Sequence, residues 1–317
     1  MVKNNKKILI LEGGFNEEHE VSLNTSGEVK KILEKNKFNF TSLIVNPKTF
    51  ENDIKKFKDH ICFNALHGPF GEDGKIQKIL NKNNVKYTHS GIKSSSDCFN
   101  KIRSKKILNK NNILTPKYDK LEVKDLNKEK LYYLKTKFKK FVLKPNESGS
   151  SFAVKIIKNQ SDLNIFIKKL KNFKKILGKH KTLIIEEYIE GKELTVSTIK
   201  LYKKIKSIAV TEIKPKNKFF DYKSKYSKGF SKHILPANID TQNYKKCLKI
   251  AKKIHKILRC NSISRSDFIF NLNQNKIYFL EINTQPGLTP LSLLPEQAKY
   301  SNISFEKIIL NIIKNIN

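Results

Sequence analysis

Arg265-Ser266-Asp267-Phe268-Ile269-Phe270 and Ile277-Tyr278-Phe279-Leu280-Glu281-Ile282-Asn283 flank a polar stretch, Asn271 to Lys276. Two apolar runs around a polar turn predict a β-hairpin. With pairing symmetric about Gln274, Asp267 lies opposite Glu281 and Arg265 opposite Asn283. All four positions are odd-numbered, so the two-residue period of a strand puts them on one face. Cross-strand neighbours stand about 5 Å apart, which would bring two carboxylates and an amide oxygen together. Such hard oxygen donors suit Mg²⁺ carrying nucleotide phosphates, and the neighbouring guanidinium can neutralise a developing oxyanion. A charged solvent face on an edge hairpin is the competing reading. It fits poorly where both flanking runs are so strongly apolar.

Working back along the chain, Phe141-Val142-Leu143 reads as a strand running into Lys144-Pro145 and the loop Asn146-Glu147-Ser148-Gly149-Ser150-Ser151. A lysine at the end of an apolar strand, followed by a Gly/Ser loop, suits a phosphate contact beneath a flap of backbone N–H groups. The Walker A pattern G-x-x-x-x-G-K-[ST] is absent. Leu183 to Ile189 is a further strand, with Glu186, Glu187 and Glu193 in or near it. Nearer the amino terminus, strands at 7–11, Thr41 to Val45 and Ile61 to Leu66 alternate with helical patterns. Val21 to Leu33 carry the first of these patterns, and Ile76, Ile79 and Leu80 the second. Such alternation predicts an α/β unit whose parallel sheet offers ligands the carboxyl ends of its strands. Gly13-Gly14 and His67 to Gly74 would lie there.

After Ser94 the texture changes. One helix from about Asp97 to Asn111 is expected before Thr115-Pro116. Beyond Gly191 come strands near 194–201, 207–213 and 267–280, helices near 241–258 and 302–315, and a long polar loop, Lys214–His233. The fold class is therefore α/β, turning α+β in the carboxyl-terminal half. Three lobes are expected, at 1–93, 94–190 and 191–317.

The 317 residues carry 64 basic and 29 acidic side chains, a formal charge of +35. Only Arg103, Arg259 and Arg265 are arginines. Nucleic-acid readers rely on the arginine fork, and the lysines here are dispersed as pairs such as Lys30-Lys31 and Lys105-Lys106. Lysines filling solvated faces, with no nucleic-acid partner, are expected. Cys62, Cys98, Cys247 and Cys260 show no C-x-x-C spacing, which points to a reduced compartment without a disulfide framework. Ile8 to Leu11 is too short for a signal peptide or membrane span, so a cytoplasmic location without membrane association is expected.

Six motifs in order resemble the D-alanine–D-alanine ligase family of the ATP-grasp superfamily over nearly the full length. They begin with Gly13-Gly14-(x)3-Glu18-His19-Glu20-Val21-Ser22-Leu23, Leu66-His67-Gly68-Pro69-Phe70-Gly71-Glu72-Asp73-Gly74 and Lys144-Pro145…Gly149-Ser150-Ser151. Glu187-Tyr188-Ile189-Glu190-Gly191-Lys192-Glu193-Leu194-Thr195-Val196, Phe220-Asp221-Tyr222-(x)2-Lys225-Tyr226 and Glu281-Ile282-Asn283-Thr284-(x)1-Pro286-Gly287-(x)1-Thr289 complete them. The resemblance implies an ATP-grasp fold with an N-terminal Rossmann-like parallel-sheet domain, and ATP-dependent joining of two D-alanines for peptidoglycan precursors.

The resemblance also implies residue roles. Glu18 would hold the ammonium of the first D-alanine, bonded to Ser150 and Tyr226, with His67 nearby. Lys101, Lys144 and the Ser148–Ser151 loop would contact ATP phosphates. Glu186, Glu187, Tyr188 and Ile189 would line the adenine, and Glu193 would accept from the ribose. Asp267, Glu281 and Asn283 would hold two Mg²⁺ (or Mn²⁺). Arg265 and the Gly287 N–H would form the oxyanion hole, while Lys225 and Ser292 would bind the second D-alanine. Because an acyl phosphate needs shelter from water, Lys214–His233 is the lid candidate. A homodimer is implied as well. Tyr226, where Phe would favour a D-lactate acceptor, points to dipeptide formation.

Three positions depart from the family pattern. Phe152-Ala153 replaces Val-Gly, and Phe99-Asn100 replaces Met-Asp before Lys101, which weakens the carry-over to that lysine. Ser264 replaces the Gly that often precedes the arginine. Another ATP-grasp carboxylate–amine ligase and a basic nucleic-acid-binding protein are the rival readings.

Overall fold

Ile8 to Leu11 are wholly buried and form the centre of strand β1 (Lys7–Glu12). The computed structural model describes residues 6–16, 18–215 and 231–316. With β2 (Asn39–Ile44), β3 (His60–Asn64) and β4 (Lys86–Tyr87), β1 builds a parallel sheet in the order β2-β1-β3-β4. The helix His19–Lys35 makes the first crossover, turning Val29 and Leu33 toward the sheet. Its polar inner face is also committed. Ser22 Oγ donates to Ala65 O and accepts the Gly13 N–H, tying the ends of β1 and β3 together.

A second sheet, antiparallel, contains β5 (Tyr118–Glu122), β6 (Phe141–Pro145), β7 (Lys155–Ile157) and β8 (Thr182–Glu187) in the order β5-β8-β6-β7. Helices Lys128–Phe138, Gln160–Lys168 and Leu170–Leu177 cover one face, burying Leu131, Leu134, Leu163 and Phe173 against Phe141, Leu143 and Ile185. Asn127 and Asn159 cap the first two of these helices, accepting the N–H three residues on.

The third sheet is antiparallel and five-stranded: β9 (Lys192–Leu201), β10 (Lys204–Pro215), β11 (Ser231–Ile234), β12 (Ile263–Asn271) and β13 (Lys276–Asn283), ordered β11-β10-β9-β12-β13. Helix Thr241–Ile257 packs on it through Cys247, Ala251 and Ile254. The last helix, Phe305–Lys314, joins Ile8 and Ile10 of β1 to Ile199 and Ile263 of the third sheet in one core. The first and third sheets are thereby held together by apolar burial worth roughly 1.5–3 kcal/mol per large side chain. All four cysteines are buried and free, and no helix among the described residues is long and apolar enough to cross a membrane.

Two expectations change. The helix expected from Asp97 to Asn111 is two, Ile92–Phe99 and Lys101–Asn109. Asn100 breaks them with extended backbone and caps the second by accepting the Arg103 N–H at 2.8 Å. The polar loop Lys214–His233 is shortened from both sides, because β10 runs to Pro215 and β11 begins at Ser231. Its remainder, with Phe220, Asp221, Tyr222, Lys225 and Tyr226, lies outside the described residues.

Candidate active site

The β12–β13 hairpin pairs Asp267 with Glu281 and Arg265 with Asn283. Symmetric pairing about Gln274 fails nearer the turn, where Phe268 faces Phe279 and Asn271 faces Lys276. Leu280 is the extra residue, a bulge that reconciles the four-residue turn 272–275 with the register above it. Arg265 donates from Nε to Asp267 Oδ1 at 3.0 Å and from Nη2 to Oδ2 at 2.8 Å. Thr195 on β9 adds a 2.6 Å bond to Asp267 Oδ1, and Asn283 Oδ1 accepts the Gln285 N–H at 2.6 Å.

Two carboxylates and an amide oxygen thus share one strand-pair face. A magnesium ion prefers such hard oxygens, so the donor set fits it. Among the described residues no group of three or more His, Cys, Asp or Glu could hold a metal ion.

Across from this face sits a lysine cluster. Lys144 at the end of β6 places Nζ 3.0 Å from Glu186 Oε2. Lys105, wholly buried, reaches Glu186 Oε1 at 2.9 Å and the Phe279 carbonyl at 3.2 Å. Lys101 Nζ donates to Ser148 O at 2.6 Å and lies 3.5 Å from Glu281 Oε2. That lysine is positioned despite Phe99-Asn100. Asn146 O takes the Lys101 N–H, while its Oδ1 takes that of Ile102.

Burial pushes Lys105 down to about 8 against the pull of Glu186, and lowers Lys101 against the pull of Glu281. For Lys144 burial also acts downward, but Glu186, Glu281 and Glu193 outweigh it and the net shift is upward. Glu186 mirrors this. Burial would raise it, yet Lys105 and Lys144 hold the carboxyl below its ordinary value. Lys144 therefore keeps its charge beside the acids while Lys105 is the cation most easily discharged.

Lys105 overturns its assignment to a solvated face. The available signal was its four-residue spacing from Lys101, which puts both on one side of a helix.

The helix that follows β1 contributes Glu18, buried at its start, whose Oε1 accepts from Ser150 Oγ of the flap. Gly68 has φ +73°, a conformation strained for any other residue, and a Cβ there would come within 2.4 Å of Glu18 Oε2 and displace that carboxylate. His67, buried beside it, meets Thr25 Oγ1 at 2.9 Å through Nε2 and Glu72 at 3.3 Å through Nδ1. In the flap, Ser150, Ser151 and Ala153 all take left-handed φ, at +50°, +57° and +53°.

Gly287 is placed by close approach, since a Cβ would meet Ser292 Oγ at 2.7 Å. Ser292 itself bonds Thr289 Oγ1 at 2.9 Å. Of the adenine candidates, Glu187 accepts the Lys117 N–H at 2.8 Å rather than joining the lysines, and Tyr188 lies under the Lys158 ammonium at 4.6 Å. Ile189 follows β8, and Glu193 on β9 acts on Lys144 through its charge.

A Rossmann-like parallel sheet, with two antiparallel sheets and the helix Lys101–Asn109 setting buried lysines opposite a hard-oxygen acid pair, defines an ATP-grasp ligase. The family model described as D-ala D-ala ligase C-terminus matches residues 107–314. The D-alanine–D-alanine ligase of Pelagibacter ubique strain HTCC1062 is 45% identical over 314 residues, 98% of each chain. That of Wolbachia pipientis wMel is 42% identical over 311 residues, 97% of this chain and 93% of its own. The crystal structure of the Bacillus anthracis ligase complexed with ATP has a TM-score of 0.78 at 29% identity, covering 98% of this chain and 97% of that one. This chain belongs to the D-alanine–D-alanine ligase family.

Proposed function

We propose that the chain joins two D-alanines into D-alanyl-D-alanine, converting ATP to ADP and phosphate, to supply peptidoglycan precursor synthesis in the cytoplasm. A carboxylate is a poor electrophile, so the first D-alanine must take the γ-phosphoryl group of ATP and become an acyl phosphate. Lys144 and Lys101 spread the charge of the transferring group, and the serine flap 148–151 covers it. Asp267, Glu281 and Asn283 would hold magnesium, which supplies charge neutralisation at the phosphates when bound.

Glu18 takes the ammonium of the first D-alanine, with Ser150 orienting its carboxylate and His67 alongside. The amine of the second D-alanine attacks the acyl carbon and phosphate leaves from the resulting tetrahedral oxyanion. Arg265 and the Gly287 N–H stabilise that charge as hydrogen-bond donors. Ser292, with Lys225, receives the second carboxylate, and Tyr226 completes closure. For Lys225 and Tyr226 the support is the motif alone. Glu186, Glu187, Tyr188 and Ile189 form the adenine segment, Ser151 adds a flap contact and Glu193 meets the ribose. Three lobes, 1–93, 94–190 and 191–317, and a homodimer belong to the same reading.

The observation that carries it is the placing of the Asp267–Glu281 pair beside Lys101 and Arg265. Incubation with ATP, Mg²⁺ and D-alanine, D-lactate or D-serine as acceptor tests it. D-alanyl-D-alanine is the expected main product. A predominant depsipeptide or mixed dipeptide, or no ligation, would overturn it.

A further inference from the structure

Two buried side-chain amides join the amino-terminal lobe to the loop that follows β13. Asn64 ends β3, and Gln285 sits between Asn283 and Gly287; both are buried. Asn64 Nδ2 donates to Gln285 Oε1 at 2.9 Å and to Gly71 O at 3.0 Å. Gln285 Nε2 donates in return to Leu66 O, while Asn64 Oδ1 accepts the Leu66 N–H at 3.2 Å. Gln77 Nε2 meets the same Gly71 carbonyl at 2.9 Å. On its other side, the Gln285 N–H bonds Asn283 Oδ1 at 2.6 Å.

We infer that Asn64 and Gln285 are positioning residues, whose interlocked amides fix the His67-bearing loop 65–74 against the Gly287-bearing loop 284–289. An apolar pair would fill the same volume yet allow the two loops to slide. Amides whose donors and acceptors are matched permit one register, because any shift leaves buried polar groups unpaired. That register sets how far the first-substrate pocket lies from the oxyanion donors. It also sets whether the second amine or water reaches the acyl phosphate first. Attack by water breaks the bond between acyl carbon and phosphate oxygen, returning D-alanine and releasing phosphate without dipeptide.

With the ligase reading above as its ground, the test compares the full chain with Asn64→Ala, Gln285→Met and the double variant. Each single change is expected to lower kcat by about 10- to 100-fold, the scale of an ångström-size misplacement. KM for ATP should stay within about twofold, since no lysine contact is touched. The double variant should be no worse than the poorer single one, as expected of residues that act as a unit.

The decisive readout is ADP formed per dipeptide. It should be one in the unaltered chain and rise above one in the variants. A loss of folded protein would lower turnover and leave that ratio at one, and a ratio of one in the folded variants would overturn the clamp. If the truncations do not fold, Gln285→Glu keeps the acceptor for Asn64, removes the donor to Leu66 O, and is read in the same way. No dipeptide from the unaltered chain would overturn the ligase reading itself. Normal turnover in the variants would overturn the clamp alone.

Discussion

Arg265 and Asp267 stand two residues apart on one face of β12 and close a two-pronged ion pair, Nε to Oδ1 at 3.0 Å and Nη2 to Oδ2 at 2.8 Å. Asp267 thereby keeps the guanidinium plane beside the Glu281 face. Arg265→Ala should lower kcat by roughly 100- to 1,000-fold, the scale of losing one oxyanion donor. Arg265→Lys should recover little, because an ammonium cannot reproduce the fork. Steady-state kinetics on folded protein decides this, and near-normal turnover in the alanine variant would remove Arg265 from the chemistry.

If Lys144 binds ATP phosphates as proposed, Lys105 ties that binding to pH. Below about 8 it is charged and shares Glu186 with Lys144; above that value Glu186 neutralises Lys144 more completely. kcat/KM for ATP, which reports the free enzyme, should therefore fall as pH rises through about 8. Lys105→Met should lose roughly tenfold at neutral pH, equivalent to ~1.4 kcal/mol, and should lack the alkaline fall. An alkaline limb that survives in the variant would contradict this assignment.

In the flap, Ala153 holds φ +53° where the family commonly has glycine. A Cβ in the left-handed region costs about 1 kcal/mol. Ala153→Gly should raise unfolding stability by up to that amount, and a β-branched Ala153→Val should lower it by more. Denaturant midpoints at constant m-value measure both, and a destabilised glycine variant would exclude strain at this position.

Two histidines predict the acid side of stability. Burial lowers His255 to about 4 and His89 to about 3, from an ordinary 6.5. Between those values and 6.5 the unfolded chain binds more protons than the folded one, so stability is lost as pH falls. Each could remove on the order of 2–3 kcal/mol by pH 4. His255→Phe, which also gives up the 2.8 Å contact with Ser264 Oγ, should flatten the slope of melting temperature between pH 6.5 and 4. An unchanged slope would show that His255 takes no part in it.

The hairpin was legible because alternating strands write their facing into odd and even positions, and both flanks were apolar. The bulge at Leu280 was not, since nothing in two apolar runs marks which residue is extra. β1, β2 and β3 carried clear apolar runs. By contrast β4 has two residues, β7 has three, and β5 carries Asp119, Lys120 and Glu122, too short or too polar to stand out. Asn100 split a helix by capping, which periodicity alone does not reveal. Lys144 stood in a quoted motif and Lys101 came only with the resemblance, against the Phe99-Asn100 departure, whereas Lys105 was hidden among 64 basic side chains because burial depends on tertiary packing. Asn64 and Gln285 escaped for the same reason, being partners 221 positions apart.

Phosphate release from ATP with and without D-alanine, titrated with Mg²⁺ in the unaltered chain and in Glu281→Gln, tests the acid-face account most directly. Release should require both D-alanine and Mg²⁺ in the unaltered chain, yield one dipeptide per phosphate, and need about tenfold or more Mg²⁺ in the variant, as when a hard-oxygen ligand is weakened. Release that ignores D-alanine, or the same Mg²⁺ dependence in both proteins, would contradict it.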